Sequence, residues 1–152
     1  MNRHLGAYKA LVEGTTLPDP NSPEYTPILL YKARASIALH DTAAALATLP
    51  ADSDDVSIKA VVALAKFEGA SSADDKEAAL EQLRDLCIEI DEQESPEASV
   101  VRVIAGTAFY TAGEVEEALE TLGAGTAHEN LEAYVEAHKP SSCFHLIAYL
   151  IT

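Results

Sequence analysis

A glycine between two short helical patterns constrains this chain more than any other feature. Residues 97–122 read EASVVRVIAGTAFYTAGEVEEALETL, with apolar residues at helical spacing on both sides of Gly113. Gly113 predicts the end of the first helix and a reversal of the chain, because glycine enters the left-handed region at little steric cost. Gly106 and Ala118 are both small, and we expect them to face each other so that the two helices approach closely. The segment therefore predicts an antiparallel helical hairpin.

The second helix of this hairpin has counterparts earlier in the chain. Its pattern occurs three times, as AAALATL at 43–49, EAALEQL at 77–83 and EEALETL at 116–122. The small residues Ala45, Ala79 and Ala118 coincide in this alignment and are separated by 34 and 39 residues. Thirty-four residues is the length of a tetratricopeptide repeat, a helix–turn–helix unit that cannot bury both of its faces alone. The spacing therefore predicts several hairpins that stack on one another.

Helical periodicity covers most of the first 122 positions. It predicts helices over 5–13, 28–39, 42–49, 56–67, from 72 to about 91, and on either side of Gly113. Asp41, Ser72 and Ser95 fit N-cap positions, and Pro27 fits the first position of its helix. The loop 15–27 cannot be regular helix because it contains four prolines: Pro18, Pro20, Pro23 and Pro27. Since no segment alternates like a strand, the predicted fold is all-α, an α-solenoid of stacked antiparallel helical hairpins.

Charge and cysteine content exclude several classes of function. The formal net charge is −15, from 25 acidic and 10 basic residues. Such a chain repels phosphate backbones and anionic lipid, so we expect no nucleic acid partner and no direct membrane ligand. Cys87 and Cys143 are the two cysteines, and their distance in the sequence predicts neither a disulfide framework nor a zinc motif. No apolar run approaches the ~20 residues of a membrane span.

The sequence contains no recognisable catalytic or cofactor motif. His138, Cys143 and His145 are the nearest approach to a metal-ligand cluster, but their spacing matches no zinc template. Cys87 falls on an apolar helix stripe and is predicted to be a core residue, and His40 is predicted to be a solvated turn residue. Neither a glycine-rich phosphate loop nor a G-x-S-x-G motif is present. We therefore predict no catalytic site, no metal, no cofactor and no small-molecule ligand.

The first helices of the hairpins provide a candidate surface for a protein partner. In stacked hairpins these helices line the concave face, and their outward positions mix apolar and basic side chains suited to a partner segment. The candidate partner-binding residues are Leu30, Arg34, Ile37, Lys59, Lys66, Val103, Thr107 and Tyr110. Companion asparagines that would complete a clamp for a C-terminal carboxylate are absent. The acidic run on the long helix at 74–94 is interpreted as a solvated face or as a surface for a basic partner.

Several stretches together resemble the coatomer epsilon subunit family. They are LGAYKALVEG at 5–14, the proline-rich connector, ILLYKARASIAL at 28–39, AALEQLRDLCIEI at 78–90 and VVRVIAGTAFYTAGEVEEALETL at 100–122. The resemblance covers roughly residues 5–133, and the family pattern has a further helix before it and further repeats after it. We therefore expect a tetratricopeptide-like repeat domain over 1–133, an atypical apolar tail over 134–152, and a chain corresponding to the N-terminal half of the family.

The resemblance implies a non-enzymatic scaffold. Members of the family bind the C-terminal domain of the coatomer alpha subunit and support Golgi-to-ER and intra-Golgi transport. It implies a cytoplasmic protein that is peripheral on Golgi membranes and coated vesicles and that meets the membrane only through the coat. One alternative is a generic tetratricopeptide adaptor that binds a peptide segment of another protein. A third hypothesis, an enzyme using His138 or His145, has less support from the sequence.

Overall fold

A computed structural model describes residues 3–91 and 93–123 of the chain. These residues form seven α-helices and no strand, which confirms the predicted all-α class. In chain order the helices are α1 (Arg3–Gly14), α2 (Tyr25–Ala38), α3 (Thr42–Thr48), α4 (Val56–Gly69), α5 (Ala73–Glu89), α6 (Pro96–Ala112) and α7 (Val115–Gly123). The boundary predicted between residues 133 and 134 lies outside the described residues.

The helices pair as three consecutive hairpins, α2–α3, α4–α5 and α6–α7, each of which packs on its neighbour. The first helix of the middle hairpin, α4, contacts both α2 and α6, and it also contacts its own partner α5 and the preceding α3. The remaining helix, α1, packs against α2. This succession of hairpins is a tetratricopeptide-like solenoid, as the 34-residue spacing predicted.

The core combines many buried alanines with larger aliphatic and aromatic side chains. Small residues that are fully buried let the helices approach closely, and they are Ala33, Ala45, Ala60, Ala65, Ala98, Ala105 and Ala108. The largest fully buried side chains of the core are Leu29 in α2, Leu83 in α5 and Phe109 in α6. Cys87 was predicted to lie in this core, but it is only half-buried and packs against the edge of the core. Burial raises the pKa of its thiol to about 11, so the thiol is protonated at neutral pH.

Helix starts follow the local sequence signals. The side chain of Asp41 accepts a hydrogen bond from the backbone N–H of Ala44 at 3.0 Å, so Asp41 is the predicted N-cap of α3. Ser72 and Ser95 cap α5 and α6 in the same way, which confirms both predictions. Asp55 is an N-cap that the sequence analysis did not identify, and it accepts a hydrogen bond from the N–H of Ser57 at 2.8 Å. These side chains satisfy donors that would otherwise lack a partner.

Two predictions about prolines and small residues require correction. Helix α2 begins at Tyr25 and not at Pro27, which is its third residue. Proline is tolerated there because N–H groups of the first turn have no intrahelical acceptor. Gly106 does not have Ala118 as its nearest neighbour across the hairpin. The side chain closest to its missing Cβ belongs to Leu122, one helical turn further along α7.

The reversal at Gly113 is the tight helix ending that the sequence predicted. Gly113 has φ 92°, in the left-handed region. The N–H of Glu114 donates to the carbonyl of Phe109 at 2.9 Å, and the N–H of Gly113 donates to the carbonyl of Tyr110 at 3.1 Å. This pair of bonds is a Schellman motif, which satisfies two carbonyls at the end of α6.

Replacing Gly113 with alanine should lower the free energy of unfolding by about 1–2 kcal/mol, the cost of placing a Cβ in the left-handed region. No heavy atom lies within 4 Å of the new Cβ, so only backbone strain contributes. Urea denaturation of the purified chain measures the loss. Gly14→Ala is the matched control, because Gly14 has the same open surroundings without a positive φ. An equal loss in both variants would contradict this explanation.

The end of α5 is held by an arginine from the next helix. One terminal nitrogen of Arg102 in α6 donates to the carbonyls of Ile90 at 3.2 Å, Asp91 at 3.4 Å and Gln93 at 3.0 Å. A cation at this position also suits the negative end of the helix dipole. Arg102 therefore fixes the turn between the middle and last hairpins.

Candidate partner-binding site

The candidate partner-binding residues fall into three classes of burial. Leu30, Ile37 and Thr107 are buried, and the first two belong to the hydrophobic core. The hydroxyl of Thr107 donates to the carbonyl of Val103 at 2.7 Å, within the same helix. These side chains therefore support the surface from beneath and do not present themselves to a partner.

The other five candidates keep contact with solvent. Arg34, Lys59, Val103 and Tyr110 are half-buried, and Lys66 is exposed. Among all eight candidates, only Leu30 and Arg34 lie together in one groove. Lys66 lines a different groove, and Lys59, Val103 and Tyr110 line neither of the two.

The groove that contains Arg34 crosses the beginnings of the three first helices, and we call it the first-helix groove. Its volume is about 390 Å³. One side is formed by α2 and the loop before it, and another by the start of α6, with the start of α4 between them. Its lining residues are Pro23, Thr26, Pro27, Leu30, Tyr31, Arg34, Asp55, Ser57, Pro96, Glu97 and Val100. Apolar rings and branched side chains dominate this list, and three charged groups interrupt it.

Arg34 is the cation of the first-helix groove. Its pKa is lowered because burial removes water from the guanidinium, and the neighbouring Tyr31 and Tyr8 partly oppose this effect. Within the described residues no hydrogen bond or ion pair engages Arg34. Arginine remains charged even so, because its pKa in water is far above neutrality. The groove therefore contains a positive charge that is partly desolvated and lacks a counterion within the described residues.

The two acidic residues of the first-helix groove differ in their hydrogen-bonding partners. Asp55 accepts hydrogen bonds from the backbone N–H groups of Ser57 and Ile58 and is committed to capping α4. Glu97 is exposed in the first turn of α6, where a carboxylate suits the positive end of the helix dipole. Neither carboxylate pairs with Arg34, so the charges of Arg34 and Glu97 remain available to a partner.

A second groove lies between α3, the end of α4 and the start of α5, with a volume of about 530 Å³. One of its sides is formed by α3, which is seven residues long. Half of its lining residues are alanine or glycine, and its one large apolar side chain, Leu46, is partly exposed. Its polar lining residues include Lys66 and Asp75. The opposite charges here give no clear preference for a charged partner.

Arg84 in α5 links the middle hairpin to the last one. Its guanidinium contacts three carboxylates, Glu114 at 2.6 Å, Glu77 at 2.8 Å and Glu117 at 2.9 Å. It also lies 5.4 Å from the centre of the Phe109 ring, within reach of a cation–π contact. This cluster was not predicted from the sequence, because Glu114 and Glu117 lie 30 and 33 residues after Arg84. The one available signal was a single arginine in a strongly acidic helix.

The pKa values of Glu114 and Glu117, two of the carboxylates around Arg84, are shifted in opposite directions. Hydrogen bonding to Arg84 lowers the pKa of Glu117. The pKa of Glu114 is raised, chiefly because it shares a hydrogen bond with Glu117. Glu117 therefore stabilises the fold above its unfolded-state pKa, and this contribution is lost as pH falls through its lower folded-state pKa. Glu114 acts in the opposite sense, and its stabilisation is lost as pH rises through its raised pKa.

Replacing Arg84 with methionine should lower the free energy of unfolding by about 1–2 kcal/mol, since charge-assisted bonds are worth more than neutral ones but these groups are partly exposed. Thermal unfolding at neutral pH measures the loss. The difference from the wild type should shrink as pH falls through the folded-state pKa of Glu117. Lys9→Met is the control, because Lys9 forms a 3.8 Å exposed pair with Glu13. Equal losses in the two variants would contradict a special role for Arg84.

Metal-ligand groups and membrane-spanning helices are both absent from the described residues. These residues contain no group of three or more histidine, cysteine, aspartate or glutamate residues that could hold a metal ion. None of their helices is long and apolar enough to cross a membrane. The nearest approach to a ligand cluster in the sequence, formed by His138, Cys143 and His145, lies outside the described residues.

Comparison with known proteins places this fold in a family. The family model described as coatomer epsilon subunit matches residues 2–138. No curated protein matches significantly. No solved structure matches significantly either. The family match spans every described helix, including the three hairpins and the first-helix groove. The chain therefore belongs to the coatomer epsilon subunit family.

Proposed function

We propose that this chain is a non-enzymatic scaffold subunit of the coatomer vesicle coat that binds the C-terminal domain of the alpha subunit. The family match over residues 2–138 is the observation that carries this proposal. Membership of the family implies a coatomer subunit role and association with other coatomer subunits. The alpha subunit as the direct partner, and support of Golgi-to-ER and intra-Golgi transport, are the finer parts of the proposal.

The stacked hairpins suit a scaffold. Stacking leaves a continuous surface formed by several first helices, on which a partner segment can bury apolar area. The accessible part of that surface includes Arg34, Lys59, Lys66, Val103 and Tyr110. The partner would also cover Tyr31, whose large side chain is 45% exposed in the first-helix groove.

Charge supports a protein partner over other ligands. The net charge of −15 disfavours nucleic acid and anionic lipid. The proposal therefore includes a cytoplasmic location, peripheral on Golgi membranes and coated vesicles, with membrane contact only through the coat. It includes no cofactor, metal or small-molecule ligand.

Co-expression of the full chain with the C-terminal domain of the alpha subunit tests the proposal. We expect the two proteins to co-elute in size-exclusion chromatography as a complex of defined stoichiometry. Separate elution would contradict the proposal. Titration with a peptide ending in EEVD examines the alternative of a generic adaptor, and tight binding of that peptide would favour the adaptor.

A further inference from the structure

Arg34 differs from the other arginines whose side chains are described. Arg84 contacts three carboxylates, and Arg102 donates to three backbone carbonyls. Arg34 has neither kind of partner within the described residues, although its neighbours remove much of its water. A partly desolvated guanidinium without hydrogen-bond acceptors destabilises the free protein. A carboxylate supplied from outside the described residues would offset this cost.

The surroundings of Arg34 define what those acceptors would belong to. The residue lies in α2 beside Leu30 and the partly exposed Tyr31, so its guanidinium is next to apolar surface. A guanidinium in such a place binds a carboxylate through two parallel N–H bonds, which are stronger in a site with little water. The bound group should therefore combine a carboxylate with an adjoining apolar side chain.

The opposite wall of the first-helix groove adds a second requirement. Glu97 stands on α6, across the groove from α2, and it is exposed. A second acidic group placed near Glu97 would be repelled, whereas a neutral or basic one would be tolerated or attracted. The charges of the groove therefore run from positive on the α2 wall to negative on the α6 wall.

We propose that the first-helix groove binds a segment of a partner protein in which an aspartate or glutamate side chain pairs with Arg34 and an adjacent apolar residue packs on the exposed ring of Tyr31. The residue of the segment that reaches Glu97 is neutral or basic. This inference rests on the proposed function, since it assigns the chemistry of the segment that the scaffold recognises. Arg34 is in this view a specificity determinant and contributes nothing to the stability of the free chain.

Peptide selection tests the chemistry without assuming which protein is the partner. A display library of random twelve-residue peptides is selected on the full wild-type chain and counter-selected on the Arg34→Met variant. We expect enrichment of an acidic residue next to an apolar one, and binding about 30-fold weaker to Arg34→Met than to the wild type. Lys76→Met, which removes an exposed cation of α5 that lines neither groove, should change binding by less than about 3-fold.

Several outcomes would overturn the proposal. These are a lack of enriched acidic residues, equal losses for Arg34→Met and Lys76→Met, or selected peptides that bind only through a free C-terminal carboxylate. Thermal unfolding of the free chain is an independent test of whether Arg34 stabilises the fold. Arg34→Met should leave the melting temperature unchanged or raise it, and a fall as large as that of Arg84→Met would show that Arg34 is structural.

The alpha subunit domain separates this proposal from the proposed function. If that domain binds the wild type and Arg34→Met equally well, the scaffold function stands and the role of Arg34 is overturned. If that domain does not bind the wild type, the scaffold function is overturned, and the peptide selection alone decides the role of Arg34.

Discussion

Replacement of Phe109 with alanine should lower the free energy of unfolding by about 3–5 kcal/mol, which is the usual cost of truncating a buried aromatic residue. Phe109 is 1% exposed and belongs to the core cluster at the end of α6. Its ring also lies beneath the guanidinium of Arg84, so the truncation removes a cation–π contact and loosens the ion-pair cluster. Both effects act on the junction between the middle and last hairpins.

Chemical denaturation followed by circular dichroism measures the effect of Phe109→Ala. Phe109→Leu is the matched control, because it keeps an apolar side chain of similar reach and should lose much less. The double variant Phe109→Ala/Arg84→Met should lose less than the sum of the single variants, since the two residues are in contact. A loss below about 1 kcal/mol for Phe109→Ala would contradict its place in the core.

Substitution of Gly106 should have the second large effect. A Cβ at Gly106 would lie 2.5 Å from Cγ of Leu122 and 2.8 Å from one of its methyl groups, so the side chain of Leu122 must leave its position. Such overpacking typically costs about 1–3 kcal/mol for Gly106→Ala, and Gly106→Leu should cost more because α7 must move away from α6. Thermal unfolding of the two variants measures this order.

A double-variant cycle separates overpacking from the helix propensity of alanine. Leu122→Ala removes the clashing side chain, so Gly106→Ala should cost little in that background. Gly6→Ala is the control for propensity, because Gly6 lies inside α1 with no heavy atom within 4 Å of the new Cβ, and it should stabilise the chain by about 0.5–1 kcal/mol. If Gly106→Ala costs as much with Leu122 as without it, Leu122 is not the cause.

Local signals made the helices predictable from the sequence. Ser72, Ser95 and Gly113 act on the backbone within a few residues of themselves, so their roles can be read from the immediate sequence. The alanine-rich pattern of the second helices likewise predicted the stacking, because close helix packing requires small side chains at a fixed period.

Features that depend on how hairpins meet could not be predicted in this way. The neighbour of Gly106 is Leu122 and not Ala118, a difference of one helical turn that the α6–α7 packing decides. Leu30 and Thr107 are buried because the sides of the first helices meet adjacent hairpins, whereas sequence periodicity does not say which neighbour covers which side. The Arg84 cluster joins separate helices for the same reason.

The position of α4 has a consequence for how the chain folds. Helices that touch are adjacent in the sequence or separated by one helix, as α4 is from α2 and from α6. These contacts join helices that are close in the sequence and do not bring together the two ends of the described chain. Little loop-closure entropy is therefore lost before the contacts form. Folding can begin at any one hairpin and extend in either direction, because α4 contacts the hairpins on both of its sides.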